Sequence, residues 1–307
     1  MMRQVGLWAL AVIFTLGAGL GDAAQAQTAD DITALRARQW YVNGDFAASV
    51  KVLSPLADAG HVRAMTMLGF HYERGLGVEK DETRALALYQ ASADKGYATA
   101  LHNLAFFHAL GMAGLTADPV RARDYFWQAS QQDYAPSMTA LAGMMWRGEG
   151  GSADPETAVS LYERAAALGN AEASGTMGYI LATGDGAPVD LVRARAFYEV
   201  AAAHGTDWAQ RDLGDMLELG EGGPVDLTRA RYYFGLAAGQ GNAMAGQDIA
   251  DLIWANPTVF PDRVEALAWC FWAEATGGGD LTGVCLPQIP GYSDDEVAAA
   301  RTRAATL

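Results

Sequence analysis

Ser92 and Lys95 stand in the order Ser-x-x-Lys, the spacing at which penicillin-recognising enzymes pair a nucleophilic hydroxyl with an amine. On a helix one turn puts the two on one face, where the amine can take the hydroxyl proton. The further elements of that machinery, Ser-Asp-Asn and Lys-Thr-Gly, do not occur in the chain. Gly-x-Ser-x-Gly is missing as well. The histidines are His61, His71, His102, His108 and His204, with no His-Glu-x-x-His among them. His102 and His108 are six apart and point to different sides of a helix. Gly-x-Gly pairs recur at Gly75/Gly77, Gly148/Gly150, Gly184/Gly186 and Gly220/Gly222. A phosphate-binding loop follows a strand, and no strand pattern precedes any of these. The residues therefore argue against an enzyme, a metal site and a bound cofactor. A penicillin-recognising enzyme at Ser92 stays as the alternative.

The elements that carry these residues repeat. Asp81, Asp118, Asp154, Asp190, Asp226 and Asp262 are each followed four residues later by Ala, in steps of 37, 36, 36, 36 and 36. Each Asp reads as a helix N-cap, accepting hydrogen bonds from first-turn amides and matching the positive end of the helix dipole. Pro119 and Pro155 follow at the first helical position, where a missing N–H costs nothing. Gly60, Gly96, Gly169, Gly205 and Gly241 close the helices, with Asp133 in that place once. In the fourth copy a first helix spans Ala171 to Thr183 and a second runs from Asp190 to His204. Hairpins with so fixed a period bury their apolar faces only against copies of themselves.

The frame of residues 64–96, with Ala64, Leu68, Gly69, Tyr72, Gly75, Gly77, Val78, Asp81, Ala85, Tyr89, Ala93 and Gly96, resembles the Sel-one-like repeat family. The likeness covers residues 61 to about 276 and, weakly, 30–60. The third copy departs from it at Gly111 to Thr116, and the last at Asn256 and Pro257. The resemblance implies an all-α, right-handed αα-hairpin superhelical solenoid, similar to tetratricopeptide arrays. About six repeats lie between N- and C-terminal capping helices. It also implies an adaptor for other proteins. Some secreted cysteine-rich relatives are linked to penicillin binding, which is why Ser92 is weighed at all.

Two first-helix columns vary while the frame stays fixed. One runs Met67, Asn103, Ala140, Thr176, Asp212, Asp248; the other runs Phe70, Phe106, Gly143, Tyr179, Asp215, Asp251. They lie three residues apart and share a helix face. By the likeness to tetratricopeptide arrays, that face lines a concave groove. The expectation is a partner-binding groove with Phe70, Phe106 and Tyr179 towards one end and Asp212, Asp215, Asp248 and Asp251 towards the other. Crowded carboxylates favour a cationic ligand, either a basic peptide or Ca²⁺. The competing reading is a solvated face above ordinary core packing.

The formal charge of −15 over 307 residues argues against nucleic acid and anionic membrane surfaces as partners. Residues 1–26 read as a secretory signal, with Arg3 as the basic region, an apolar run from Val5 to Leu20, and Ala24-Gln25-Ala26 before the cut. A retained anchor helix is the rival reading. Residues 27–60 form an atypical capping pair, 61–276 the repeats, and 277–307 a terminal cap. In an exported chain the only cysteines, Cys270 and Cys285, read as a disulfide tying that cap down, against two buried thiols. Ser293 and Glu296 form a capping box for a last helix through Ala304. The whole reads as a periplasmic or secreted monomeric scaffold. It binds a protein or peptide of the cell envelope and does not enter the membrane once the signal is removed.

Overall fold

The computed structural model describes residues 29–277 and 286–307. The expected signal segment, residues 1–26, and Cys285 lie outside the described residues. Among the described residues there are helices and turns and no strand. The described residues divide into two compact units, one ending at residue 168 and the other beginning at residue 169.

The first unit carries α1 (Ala29–Val42), α2 (Phe46–Asp58), α3 (Val62–Arg74), α4 (Glu82–Ala93), α5 (Ala98–Leu110), α6 (Pro119–Ser130), α7 (Ala135–Arg147) and α8 (Pro155–Ala167). The second carries α9 (Ala171–Thr183), α10 (Leu191–Ala203), α11 (Asp207–Leu219), α12 (Leu227–Ala238), α13 (Ala243–Ala255), α14 (Arg263–Thr276) and α15 (Asp294–Ala304). Within each unit a helix packs on the next one in sequence, so each unit is a stack of hairpins. Most of these helices have 12 to 14 residues. That length is marginal for an isolated helix, so packing supplies most of the stability.

The repeated Asp does what its spacing implies. Asp81, Asp118, Asp154, Asp190, Asp226 and Asp262 each accept a hydrogen bond from the backbone N–H three residues on. The Ala four residues after each cap is fully buried in all six copies. Four residues further on, a ring fills the hairpin interior: Tyr89, Phe126, Tyr162, Tyr198 and Phe234, with Cys270 in the last copy. Opposite the ring the first helix must be thin. A Cβ placed on Gly69 would sit 2.8 Å from Tyr89, and one on Gly214 would sit 2.4 Å from Phe234. The Leu-Gly pair of the sequence is thus a seat for the ring of the same hairpin.

The second glycine of the inter-helix turn has a role that spacing alone does not reveal. Gly222 has φ +69°, and a Cβ there would meet the Leu191 carbonyl oxygen at 2.2 Å. Gly150 stands in the same relation to the Pro119 carbonyl at 2.3 Å. This turn docks on the start of the preceding repeat's second helix, so it sets the spacing between neighbouring hairpins. The third copy, which departs from the frame, closes its turn with a 3-10 segment, Met112–Gly114, and holds Ala113 at φ 55°. Asp133, replacing the helix-ending glycine, is also left-handed at φ 55°. An Asp tolerates that conformation better than most residues.

The last helix forms with the capping box of Ser293 and Glu296 in place. It packs on α14 around Leu267, Ala268, Phe271 and Ala300. Arg263 donates to both carboxylate oxygens of Glu296 at 2.7 and 2.8 Å, and Arg303 reaches Asp262 at 2.7 Å. The cap therefore covers the apolar flank of the last hairpin.

Candidate functional site

Ser92 cannot serve as an open nucleophile. It is fully buried, and its hydroxyl donates to the Val62 carbonyl at 2.9 Å with the Thr66 hydroxyl another 2.9 Å away. Lys95 is turned elsewhere, donating to the Gly60 carbonyl at 2.6 Å. The pair belongs to the packing between adjacent hairpins.

The histidines are likewise structural. His102 is buried with Nδ1 2.9 Å from the Ser137 hydroxyl, and burial pushes its pKa down to about 3. His108 stacks on Tyr125, with ring centroids 5.4 Å apart. Among the described residues no group of His, Cys, Asp or Glu is arranged to hold a metal ion.

The expected aromatic positions differ from one another. In the first unit Phe70 is buried, with its ring edge-on to Tyr41 of α1 at 5.8 Å. Phe106 is half-buried against Phe126 at 5.1 Å and His102 at 4.9 Å. In the second unit Tyr179 is 48% exposed. Tyr179 presents a ring to solvent, whereas Phe70 is largely spent on packing.

The acidic positions come together within the second unit. Asp212 and Asp215 lie on α11, and Asp248 and Asp251 on α13. Arg211 bridges the two helices. Its Nε donates to Asp248 Oδ2 at 2.5 Å, and its guanidinium stands 3.9 Å from Asp215. Glu218, one turn beyond Asp215, adds a fifth carboxyl. One guanidinium thus faces three carboxyl groups, Asp212, Asp215 and Asp248, while Glu218 and Asp251 border Asp248. Burial pushes the Asp212, Asp248 and Asp251 carboxyls up. Asp215 is pushed to about 7, by burial first and then by Asp248. The Tyr198 hydroxyl bonds Asp212 and offsets part of its shift. Like charges at this spacing disfavour full ionisation, and one Arg does not balance them.

The columns, compared copy by copy, found the four aspartates. They missed Arg211 and Glu218, which lie outside those columns. Arg211 precedes the Asp at position 212, and only the separation of α11 from α13 shows that it reaches Asp248. A second surface lies in this unit. There Tyr232, Leu236, Phe260 and Trp269 line a shallow recess of roughly 440 Å³ above Ile249. Its one cation, Arg231, is already paired with Glu265.

No helix among the described residues is long and apolar enough to cross a membrane. Cys270 is fully buried in α14, where it packs with Ala250 and Ala273.

A family model described as the Sel1 repeat matches residues 62–97, 98–134, 135–170, 175–206 and 209–242, more than half of the chain. A Sel1 repeat protein from Oxalobacter formigenes is similar in structure, with a TM-score of 0.66 and 25% identity over 81% of this chain and 97% of that one. A protective antigen of uropathogenic Escherichia coli strains, described as displaying an SLR fold, is similar at a TM-score of 0.74 and 24% identity. That likeness covers 89% of this chain and 61% of the antigen. No curated protein matches the chain in sequence.

Proposed function

The chain belongs to the Sel1 repeat family, and from that premise we propose that it is a non-catalytic interaction scaffold of the bacterial-type cell envelope. It works as a monomer, and its first-helix face receives a partner protein or peptide. The observation that carries this reading is the cluster on α11 and α13, where Arg211 faces Asp212, Asp215 and Asp248 and the further carboxyls of Glu218 and Asp251 lie beside Asp248. Carboxyl groups held part-way out of water with too little positive charge favour a ligand that brings more. A lysine- or arginine-rich segment does so with several charges at once and excludes water as it binds. Tyr179, exposed on α9, offers a ring to the apolar part of such a segment.

Binding of a Lys/Arg-rich peptide is measured by titration calorimetry on the wild type. It is measured again on a variant carrying Asp212→Asn, Asp215→Asn, Asp248→Asn and Asp251→Asn. The proposal expects at least about a tenfold loss and a weaker dependence on salt, since several charge contacts disappear together. Equal affinities would sink it. Ca²⁺ in the same titration is the rival ligand. The absence of a metal-holding group among the described residues favours the peptide. A penicillin-recognising activity is tested by β-lactam labelling followed by peptide mapping; the burial of Ser92 supports an unlabelled protein.

Export rests on the composition of residues 1–26 and is tested by sequencing the N-terminus of protein recovered from the periplasm or medium. Gln27 is the expected first residue. The Cys270–Cys285 bond belongs to the same reading, supported by the absence of a free cysteine among the described residues. Mass measurement after alkylation, with and without reductant, distinguishes the bond from two thiols.

A further inference from the structure

Trp208 on α11 and Met244 on α13 occupy the same place in consecutive repeats, and both reach solvent: Trp208 is 36% exposed and Met244 41%. The preceding copies carry Arg63, Thr99, Pro136 and Glu172 there. The fold thus accepts polar or small residues at this position and does not call for large apolar ones. The covered part of Trp208 has a structural reason. Its indole lies over Gly175 of α9, where a Cβ would meet Cη2 at 2.4 Å. The part left in water has none. Met244 has no glycine to cover, because Arg211 stands where Gly175 stands one repeat earlier. Trp208 lies one turn before Asp212, and Met244 one turn before Asp248, so each shares a helix face with the carboxyls. The two helices are tied together along that face. Asn242 Nδ2 donates to Asp207 Oδ2 at 3.0 Å, and Arg211 reaches from α11 to Asp248. Trp208 and Met244 fall between these ties, so their exposed surfaces border the carboxylate cluster. That cluster is itself open, with the Asp215 side chain 41% exposed.

We infer that Trp208 and Met244 form an apolar anchor site beside the cluster, which takes a leucine-sized side chain of the bound segment two residues away from a basic one. Charge complementarity fixes the occupant. A purely apolar segment would leave the carboxyls with Arg211 as their main counter-charge, and an acidic one would be repelled. A purely basic segment would leave Trp208 and Met244 in water. A segment that is both basic and apolar meets the whole face. The spacing follows from helix geometry. Trp208 and Asp212 are separated by about 6 Å along α11. An extended chain covers that distance in about two residues, whose side chains point to the same side. The next side chain on that side then comes within reach of Asp215. A seated apolar side chain also excludes water beside the charge contacts and strengthens them. The inference names the partner of the proposed site and rests on that proposal.

The test uses two synthetic peptides blocked at both ends, Leu-Ser-Lys-Ser-Lys and Ser-Ser-Lys-Ser-Lys. The reversed pair is titrated alongside, since an extended segment can run either way along α11, and the tighter orientation is used. Each peptide is titrated calorimetrically into the full-chain wild type, Trp208→Ala, Met244→Gln, and the variant with Asn at 212, 215, 248 and 251. The wild type should prefer the leucine peptide about tenfold, the weight of partly burying one leucine side chain. That preference should fall towards one in Trp208→Ala and in Met244→Gln. Met244→Gln alone decides the matter if Trp208→Ala disturbs folding, because Met244 is exposed and fills no gap opposite a glycine. A preference that survives both substitutions would seat the leucine elsewhere and overturn the inference. Equal affinities of the two peptides for wild type, both weakened in the aspartate variant, would remove the anchor site and leave the proposed role standing. Failure of either peptide to bind would overturn both.

Discussion

Gly214→Ala puts two effects of opposite sign in competition, and the geometry decides between them. Gly214 is inside α11, where Ala is preferred to Gly by about 1 kcal/mol. On propensity alone the substitution stabilises. The new Cβ, however, would lie 2.4 Å from Phe234 Cε1, 2.6 Å from Cδ1 and 2.9 Å from Cζ. Carbon atoms rest about 3.5–4.0 Å apart, so the ring or the helix must move by more than about 1 Å. Phe234 is fully buried, and protein interiors are close-packed, so the ring moves only if its neighbours do. Overpacking of this kind costs about 1–3 kcal/mol, more than propensity returns. Ala105 and Ala142 fill the equivalent place opposite Phe126 and Tyr162, so a shift of that size is survivable and the fold persists. The expected net loss is about 1 kcal/mol, or roughly 3–6 °C in melting temperature for a unit of this size. Calorimetry on the single variant and on the same change in a Phe234→Leu background measures the coupling. Substitution in the leucine background should cost less, by about 1 kcal/mol. A Gly214→Ala protein that melts higher than wild type would refute the idea that the glycine seats the ring.

The remaining predictions concern charge and the inter-repeat turn. Asp215 has its folded pKa raised to about 7, above its value of 3.8 when unfolded, so its favourable contribution is present at low pH and is lost as pH rises through 7. Asp215→Asn should therefore stabilise by up to about 1 kcal/mol at pH 8, after allowance for solvent screening, and by almost nothing at pH 4; urea titrations at the two pH values check this. Arg211→Met should cost about 1–2 kcal/mol at pH 8, between the values for exposed and buried ion pairs, and less at pH 5, where protonation relieves the carboxyls left behind. Gly222→Ala combines a left-handed φ with a Cβ 2.2 Å from the Leu191 carbonyl, so a loss of at least about 2 kcal/mol is expected in the same titrations.

The sequence exposes those parts of the fold that depend on local chemistry. Asp caps, Gly stops and the capping box of Ser293 act within three or four residues, so their spacing announces them, and α9 begins and ends where the pattern places it. Gly222 is different. Its left-handed turn is legible, but its approach to Leu191 is a contact with the previous repeat and needs the docked structure. The candidate site divides along the same line. Comparing copies found Asp212, Asp215, Asp248 and Asp251, because their columns change while the frame does not. It could not find Arg211, whose reach to Asp248 depends on the distance between two helices. Nor could it tell Phe70, buried against Tyr41, from Tyr179, half open to solvent. The aromatic column records a residue type, and burial is set by which helix lies alongside it.

Photo-crosslinking a bound Lys/Arg-rich peptide and mapping the adducts by mass spectrometry reports directly which helix face receives a partner. Adducts are expected on α11 and α13, next to Asp212, Asp215, Asp248 and Asp251. Adducts concentrated on α12 and α14, around Tyr232, Leu236 and Trp269, or scattered evenly over both faces, would contradict it.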